Sequence, residues 1–318
     1  MRPSQAVCFT LVSLITACMG ATPGDSDEQG MNYGGGSGSG SGAGSGSGSP
    51  TGEQVYGVTV TNVNSLSQIV TSLQGLPRHP TTRIVFDENV PASNYAQAVT
   101  AIDAVSDVMG ELLDSWYVPS VSTAEYLSRA QQYFTAFGGQ VDIWEVGNEI
   151  NGEWVDDNAG GTAEVVAKIA GAFDIVHDAG GATALTLYGC SDTSPQYDMI
   201  TWATTNVPDR MKTGLDYVLV SFYEGDCGVS SPDWQTKFAQ LRAIFPTAKL
   251  GFGEVGAVDT NGDPITNPAI AGPYLERYYK MPITVPGYVG GHFWWYYVED
   301  MLPLPSTMYT VLGNTIQP

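Results

Sequence analysis

The feature that most constrains this chain is an alternation that starts near Gln54 and continues to its end. Short runs rich in β-branched and aromatic residues lie at 55–60, 83–88, 108–115, 142–149, 182–188, 216–224, 249–256 and 288–296. Between them are longer stretches of helical periodicity at 65–76, 95–105, 122–137, 163–179, 198–206, 232–245 and 269–279, and a shorter one follows at 306–312. Strand-length apolar runs interleaved with helices specify βα units, and therefore a parallel sheet covered by helices. Eight repeats in about 265 residues predict a closed (β/α)8 TIM barrel, a single α/β domain. The rival is an open doubly wound sheet, which ordinarily places a Gly-rich phosphate loop after its first strand. Here that turn reads TVTNVNSLS, from Thr59 to Ser67, so the barrel is expected. Asn64, Ser122 and Ser231 stand where helix N-caps are needed.

The first fifty residues do not share the pattern. Arg2 precedes a short apolar run at 6–17, too short to span a bilayer and suited to the core of a signal peptide. It ends Ile15-Thr16-Ala17-Cys18, which resembles the bacterial lipobox and implies that Cys18 is lipidated after cleavage. Residues 1–18 are thus read as a lipoprotein-type signal peptide. Residues 19–51, with GGGSGSGSGAGSGSGS at 34–49, are read as a disordered Gly/Ser-rich linker. A coil of that length reaches roughly 30 Å. The expectation is an exported barrel domain, 52–318, tethered by lipid to the bacterial cell envelope or surface, or otherwise secreted.

Removing Arg2, Asp25, Asp27 and Glu28 leaves that domain with 11 basic and 30 acidic side chains, a net charge of −19. Such a surface disfavours nucleic acid and anionic lipid and favours solubility as a monomer. Of four cysteines, Cys8 and Cys18 belong to the signal. Cys190 ends the fifth strand and Cys227 follows the sixth, so adjacent strands would bring them to one rim; in an exported domain they are expected to be bridged. The three histidines, His79, His177 and His292, are scattered, and no Cys-x-x-Cys is present, so no zinc site and no cofactor are expected. The stretch Asp259-Thr-Asn-Gly-Asp263 imitates the start of a calcium loop. Pro264 and Ile270 stand where Gly and Glu are required, so no metal is assigned to it.

Barrel enzymes carry their chemistry at the carboxyl ends of the strands. Those ends hold Asp87 and Glu88, Asp114 to Tyr117, Asn148 and Glu149, Tyr188, Tyr223 and Glu224, Glu254, and Trp294 to Tyr297. Two carboxylates across a barrel mouth, among rings that stack on sugar, are what glycoside hydrolysis needs. The segments WEVGNE on the fourth strand and GFGEVG on the seventh resemble the retaining glycoside hydrolases of clan A, which are barrels with an Asn-Glu acid/base at strand four and a Glu nucleophile at strand seven.

That resemblance implies Glu149 as acid/base and Glu254 as nucleophile. Asn148 would bond the 2-hydroxyl of a bound sugar, Arg83 and Tyr223 would steady the nucleophile, and Trp294 or Trp295 would form the platform beneath the sugar. Trp294 and Trp295 alternate, so one of them is expected to face the helices. Trp116, Tyr117 and Trp154 are candidates for further subsites. The acid/base needs a raised pKa, which Glu254 and burial beside Trp144 or Trp154 would supply. Many clan members continue Asn-Glu-Pro; Asn-Glu-Ile here is closer to families that include exo-acting enzymes. Strict alternation places Glu145 on the face of Glu149, one layer lower, which requires either a bulge or a buried structural Glu145. The implied partner is a β-linked polysaccharide or oligosaccharide, with a lean toward endo attack. An exo-acting β-glycosidase and a non-catalytic carbohydrate-binding surface lipoprotein are the alternatives.

Overall fold

The computed structural model describes residues 54–190, 194–228 and 232–318. The signal segment with Cys18, the linker and Ser231 lie outside the described residues. Eight strands, β1 (Val55–Val60), β2 (Thr81–Val85), β3 (Asp107–Glu111), β4 (Ile143–Gly147), β5 (Ala182–Tyr188), β6 (Tyr217–Phe222), β7 (Lys249–Val255) and β8 (Tyr288–Trp294), pair in parallel and in chain order, and β8 closes on β1. The chain is a (β/α)8 barrel. No helix among the described residues is long and apolar enough to cross a membrane.

The helices are α1 (Leu66–Gln74), α2 (Ala96–Asp103), α3 (Thr123–Phe137), α4 (Gly161–His177), α5 (Met199–Asn206), α6 (Asp209–Gly214), α7 (Glu224–Cys227), α8 (Trp234–Ile244), α9 (Pro268–Tyr279), α10 (Tyr297–Met301) and α11 (Thr307–Thr315). The cap expected at Ser122 is a full capping box: its hydroxyl accepts from Glu125 N–H, and the Glu125 carboxylate accepts from Ser122 N–H. Asn64 does not cap α1; Ser65 occupies that position without a side-chain bond. At α8 the cap is Asp233, whose carboxylate accepts from Thr236 N–H.

Several strands end earlier than their apolar runs. The run at 108–115 yields a strand only to Glu111, because Asp114 accepts from Trp116 N–H and starts a 3-10 turn at Ser115–Ser120. Asp87 and Glu88 likewise lie past β2. Arg129, from α3, fills the space behind these two strand ends and donates to the carbonyls of Leu112, Phe86 and Asp87, which ties the loops of the mouth to the helix layer.

The barrel interior is layered. Its floor is apolar: Met109, Ile143, Ala184, Leu219 and Phe293 form a separate buried cluster. Above it lies a polar layer of Arg83, Glu111 and Glu145, all fully enclosed. Outside the strands, Phe252 of β7 meets Trp234 and Phe238 of α8 and Tyr278 of α9, and Trp144 of β4 meets Phe134 of α3. Burying each of those side chains contributes on the order of 2 kcal/mol or more.

Cys190 and Cys227 form the expected disulfide, with Cα atoms 4.9 Å apart, and it fastens the end of β5 to α7 on the neighbouring loop. In the Asp259–Asp263 loop the Asp259 carboxylate turns inward and accepts from the N–H groups of Asn261 and Asp263, the closure of a tight turn.

Candidate active site

Two of the strands depart from simple pairing just below the mouth. Between β4 and β5 the register passes from Glu145 opposite Ala184 to Gly147 opposite Leu185, so Val146 is an extra residue on β4. Between β6 and β7 it passes from Val220 opposite Phe252 to Ser221 opposite Glu254, so Gly253 is the extra residue. A one-residue bulge reverses which side chain faces in. With Phe252 outside, plain alternation would point Glu254 toward the helices; the bulge turns it into the barrel. A Cβ at Gly253 would stand 2.8 Å from Leu219 Cβ and 2.9 Å from Thr186 Oγ1, so only glycine fits there. Glu149, just beyond β4, has φ of +47°, a conformation rare for any residue but glycine. Such backbone strain persists where the surroundings fix it and clusters at functional sites.

Glu254 is held at both oxygens. Arg83 Nη1 donates to Oε2 at 2.8 Å, and the Tyr223 hydroxyl donates to Oε1 at 2.7 Å. Arg83 is fully buried, so it serves the carboxylate from below and cannot itself reach a substrate. Its Nε donates to Glu145 Oε2 at 2.7 Å and its Nη2 to Glu145 Oε1 at 3.2 Å. Nη2 also lies 3.1 Å from Glu111 Oε2, at ion-pair range but not aligned as a hydrogen bond, and neither Glu111 oxygen has another partner. Burial works against the Arg83 charge, but Glu111, Glu145 and Glu254 outweigh it and hold the guanidinium protonated. One cation faces three carboxyls, and burial pushes Glu111 well above the usual carboxylate range.

Glu145 is the structural residue of β4. It is enclosed, paired with Arg83, and accepts from the Thr186 hydroxyl. Both expectations for this strand hold at once: there is a bulge, and Glu145 is buried.

Glu149 is caged differently. Ser115 donates to Oε2 at 2.8 Å and Ser221 to Oε1 at 2.6 Å. Burial first, and the charge of Glu254 second, push its pKa up to about 8, against the opposing bonds from Ser221 and Ser115. Burial also raises Glu254, which Arg83 and Tyr223 hold back to about 7. The bonds from Arg83 and Tyr223 thus favour the charged form of Glu254, and burial beside that charge favours the protonated form of Glu149.

Asn148 is buried, with its Oδ1 lacking a hydrogen-bond partner. Trp295 is partly exposed and lies with its ring 5.5 Å from Arg83 Cζ, at the mouth. Trp294 is a correction: it is fully buried among the helices, with its N–H on Asp300 at 2.8 Å, and offers no face to a sugar. Trp144 is also turned outward and does not bury Glu149. Trp154 comes closer, since its N–H donates to Ser115 Oγ at 3.3 Å while its ring meets Tyr188 edge-on at 4.9 Å. Trp116 is exposed on its 3-10 turn and remains open to solvent. Glu224 leaves the strand-end group, because Arg277 and Tyr278 of α9 bind its carboxylate.

Four residues of the site carried no motif. Ser115 and Glu111 are recognisable only by what they touch. Asn151 fastens the loop after β4 by donating to the carbonyls of Tyr188 and Tyr197 and accepting from Tyr188 N–H. For Ser221 a signal did exist: it stands two residues before Tyr223, at the end of the same extended run.

No protein-family profile matches this chain, and no curated protein sequence matches it. Solved structures do. The chain is similar to Gas2p of Saccharomyces cerevisiae in complex with laminaripentaose, at 13% identity and TM-score 0.53, covering 84% of this chain and 66% of that one. A thermostable mutant of the xylanase Xyn10A from Cellvibrio japonicus is similar at 16% identity and TM-score 0.54, covering 84% of this chain and 99% of that one. A glucosidase from Croceicoccus marinus is similar at 13% identity and TM-score 0.54, covering 77% and 60%. This chain spans just under two thirds of the length of Gas2p, and only 30% of a Bacteroides uniformis β-glucuronidase that it also resembles. At these identities the likeness is one of fold.

Proposed function

We propose that this protein is a retaining glycoside hydrolase that cleaves β-linked polysaccharide or oligosaccharide, with Glu254 as nucleophile and Glu149 as acid/base. The observation that carries this reading is the contrast between the two cages. Glu254 is held by a permanent cation and a phenol, which favour its charged form, whereas Glu149 is buried against that negative charge and favours its protonated form. The names of the structural neighbours, a protein bound to a laminari-oligosaccharide, a xylanase and a glucosidase, agree with it.

Catalysis follows from the geometry. Ionised Glu254 attacks the anomeric carbon while Glu149 gives its proton to the departing oxygen. Glu149, now a carboxylate, takes a proton from water, which displaces Glu254 and leaves the anomeric configuration as it began. Asn148 Oδ1, with no partner in the protein, accepts from the 2-hydroxyl of the sugar, and Trp295 provides the face on which the ring rests. Rings at Trp116 and Trp154, outside the central pair, support further sugar units and lean the reading toward endo attack. Residues 1–51 are read as signal and tether, which would hold the barrel at the cell envelope through a lipid on Cys18.

Incubation of the 52–318 domain with a panel of β-glucans, mannans and xylans tests the function. Release of reducing sugar from one of them is expected, with the β-anomer first in the NMR spectrum of the product. First appearance of the α-anomer would mean inversion, and binding without release would reduce the protein to a carbohydrate-binding module.

A further inference from the structure

Glu149 receives a hydroxyl on each carboxyl oxygen, from opposite sides of the barrel mouth. Ser115 comes from the 3-10 turn after β3, and Ser221 from β6. Both serines are buried, at 4% and 0% exposure, so no bulk water substitutes for them. The direction of the Ser115 bond is fixed by its other neighbour. An indole N–H can only donate, and Trp154 donates to Ser115 Oγ, which favours turning the serine proton toward Glu149. The backbone of Glu149, at φ +47°, gives the side chain a direction that the strand below does not supply, and the two hydroxyls complete the hold.

We propose that Ser115 and Ser221 are positioning residues that clamp the Glu149 carboxyl and keep it at the angle from which it exchanges its proton with the leaving oxygen. This rests on the reading of Glu149 as acid/base. A donor on each oxygen favours the carboxylate, which counters the burial and the negative charge acting on Glu149. Without that counterweight the group would hold its proton too firmly to serve as acid in the first step, and would be slow to become the base of the second. The clamp also links Glu149 to Trp154, so the ring proposed to support a sugar unit and the group that protonates the leaving oxygen share one hydrogen-bonded chain.

The other charged or titratable groups facing Glu149 are Glu254 from β7, Asp114 from the loop after β3, Tyr188 from β5 and Tyr223 just after β6. No hydrogen bond joins either serine to any of these four groups, so a change in titration is read as loss of the hydroxyl. Barrel carrying glutamate labelled with carbon-13 at the side-chain carboxyl is titrated by NMR, with Glu149→Gln identifying the resonance. In Ser115→Ala and in Ser221→Ala the Glu149 midpoint is expected to rise by about one pH unit, the scale of one lost hydrogen bond to a charged group. Ser115→Thr, which keeps the hydroxyl, returns it to the wild-type value. Should Ser221→Ala fail to fold, Ser115→Ala, on the rim turn, decides alone. An unmoved midpoint in the alanine variants overturns the clamp.

The kinetic arm uses dinitrophenyl and phenyl β-cellobioside and β-xylobioside. Loss of a serine is expected to slow glycosylation by the phenyl substrate about tenfold and to spare the dinitrophenyl one, whose leaving group needs no proton. Equal loss on both would mean a merely structural role. If Glu149→Gln leaves phenyl glycoside hydrolysis intact, the acid/base assignment fails, while the titration still reports whether the clamp exists.

Discussion

Ser221, near the end of β6, and Tyr223, the first residue beyond it, donate their hydroxyls to different carboxyls: Ser221 to Glu149 at 2.6 Å and Tyr223 to Glu254 at 2.7 Å. The end of β6 and the residue after it thus hold one oxygen of each carboxyl. Its neighbour β7 carries the bulge at Gly253 that brings Glu254 opposite Ser221.

The first prediction concerns pH. The proposed mechanism needs Glu254 charged and Glu149 protonated, with their pKa values pushed to about 7 and about 8. Below the first the nucleophile is neutral, and above the second the acid is spent. A narrow bell of kcat/KM centred between them is expected, measured on any substrate the enzyme accepts. An optimum near pH 5 would show that the site is wetter than its burial implies.

Replacing the two glutamates should produce different defects. Glu254→Ala removes the attacking oxygen, and turnover should fall by about four orders of magnitude or more. Glu149→Ala should still form a glycosyl-enzyme from a dinitrophenyl glycoside, and added azide should restore turnover with a β-glycosyl azide as product. An α-azide from this variant would show that the roles are misassigned.

Arg83 bears on stability as well as chemistry. Arg83→Leu leaves Glu145 and Glu254 without their cation in a closed interior, and a loss of about 3–5 kcal/mol is expected from chemical denaturation. The sign with pH follows from the carboxyls. Glu254, raised to about 7 even beside Arg83, is neutral in acid and uncompensated once ionised, so the deficit relative to wild type should grow as pH rises from 5 to 8. A deficit independent of pH would locate the effect in packing instead.

Reduction of the Cys190–Cys227 bridge opens a loop of 37 residues in separation. A cost of roughly 3–4 kcal/mol is expected in the chain-entropy account. Mass spectrometry of the native, unreduced protein should find no free thiol at either position.

For the proposed tether, Cys18→Ala should move the protein from the membrane fraction to the soluble one after export. Unchanged partition would remove the lipid anchor from the reading.

Much of this was legible along the chain because the barrel is built from local repeats. The eightfold alternation of period-2 and period-3.6 segments specifies the strands, their order and their helices, and WEVGNE and GFGEVG fall on the fourth and seventh of them without any three-dimensional information. Tertiary structure decided the rest, for two physical reasons. Alternation predicts facing only until a bulge, and both Val146 and Gly253 are bulges, so the inward turn of Glu254 and the buried place of Glu145 became visible only in the register of neighbouring strands. Partnership across a closed barrel depends on which residues its closure brings level: Arg83 meets Glu145 and Glu254 across 62 and 171 residues, and Ser115 from the turn after β3 and Ser221 from β6 meet Glu149 across 34 and 72. The same closure separates Trp294, shut among the helices, from Trp295 at the mouth, a choice that two adjacent identical letters cannot express.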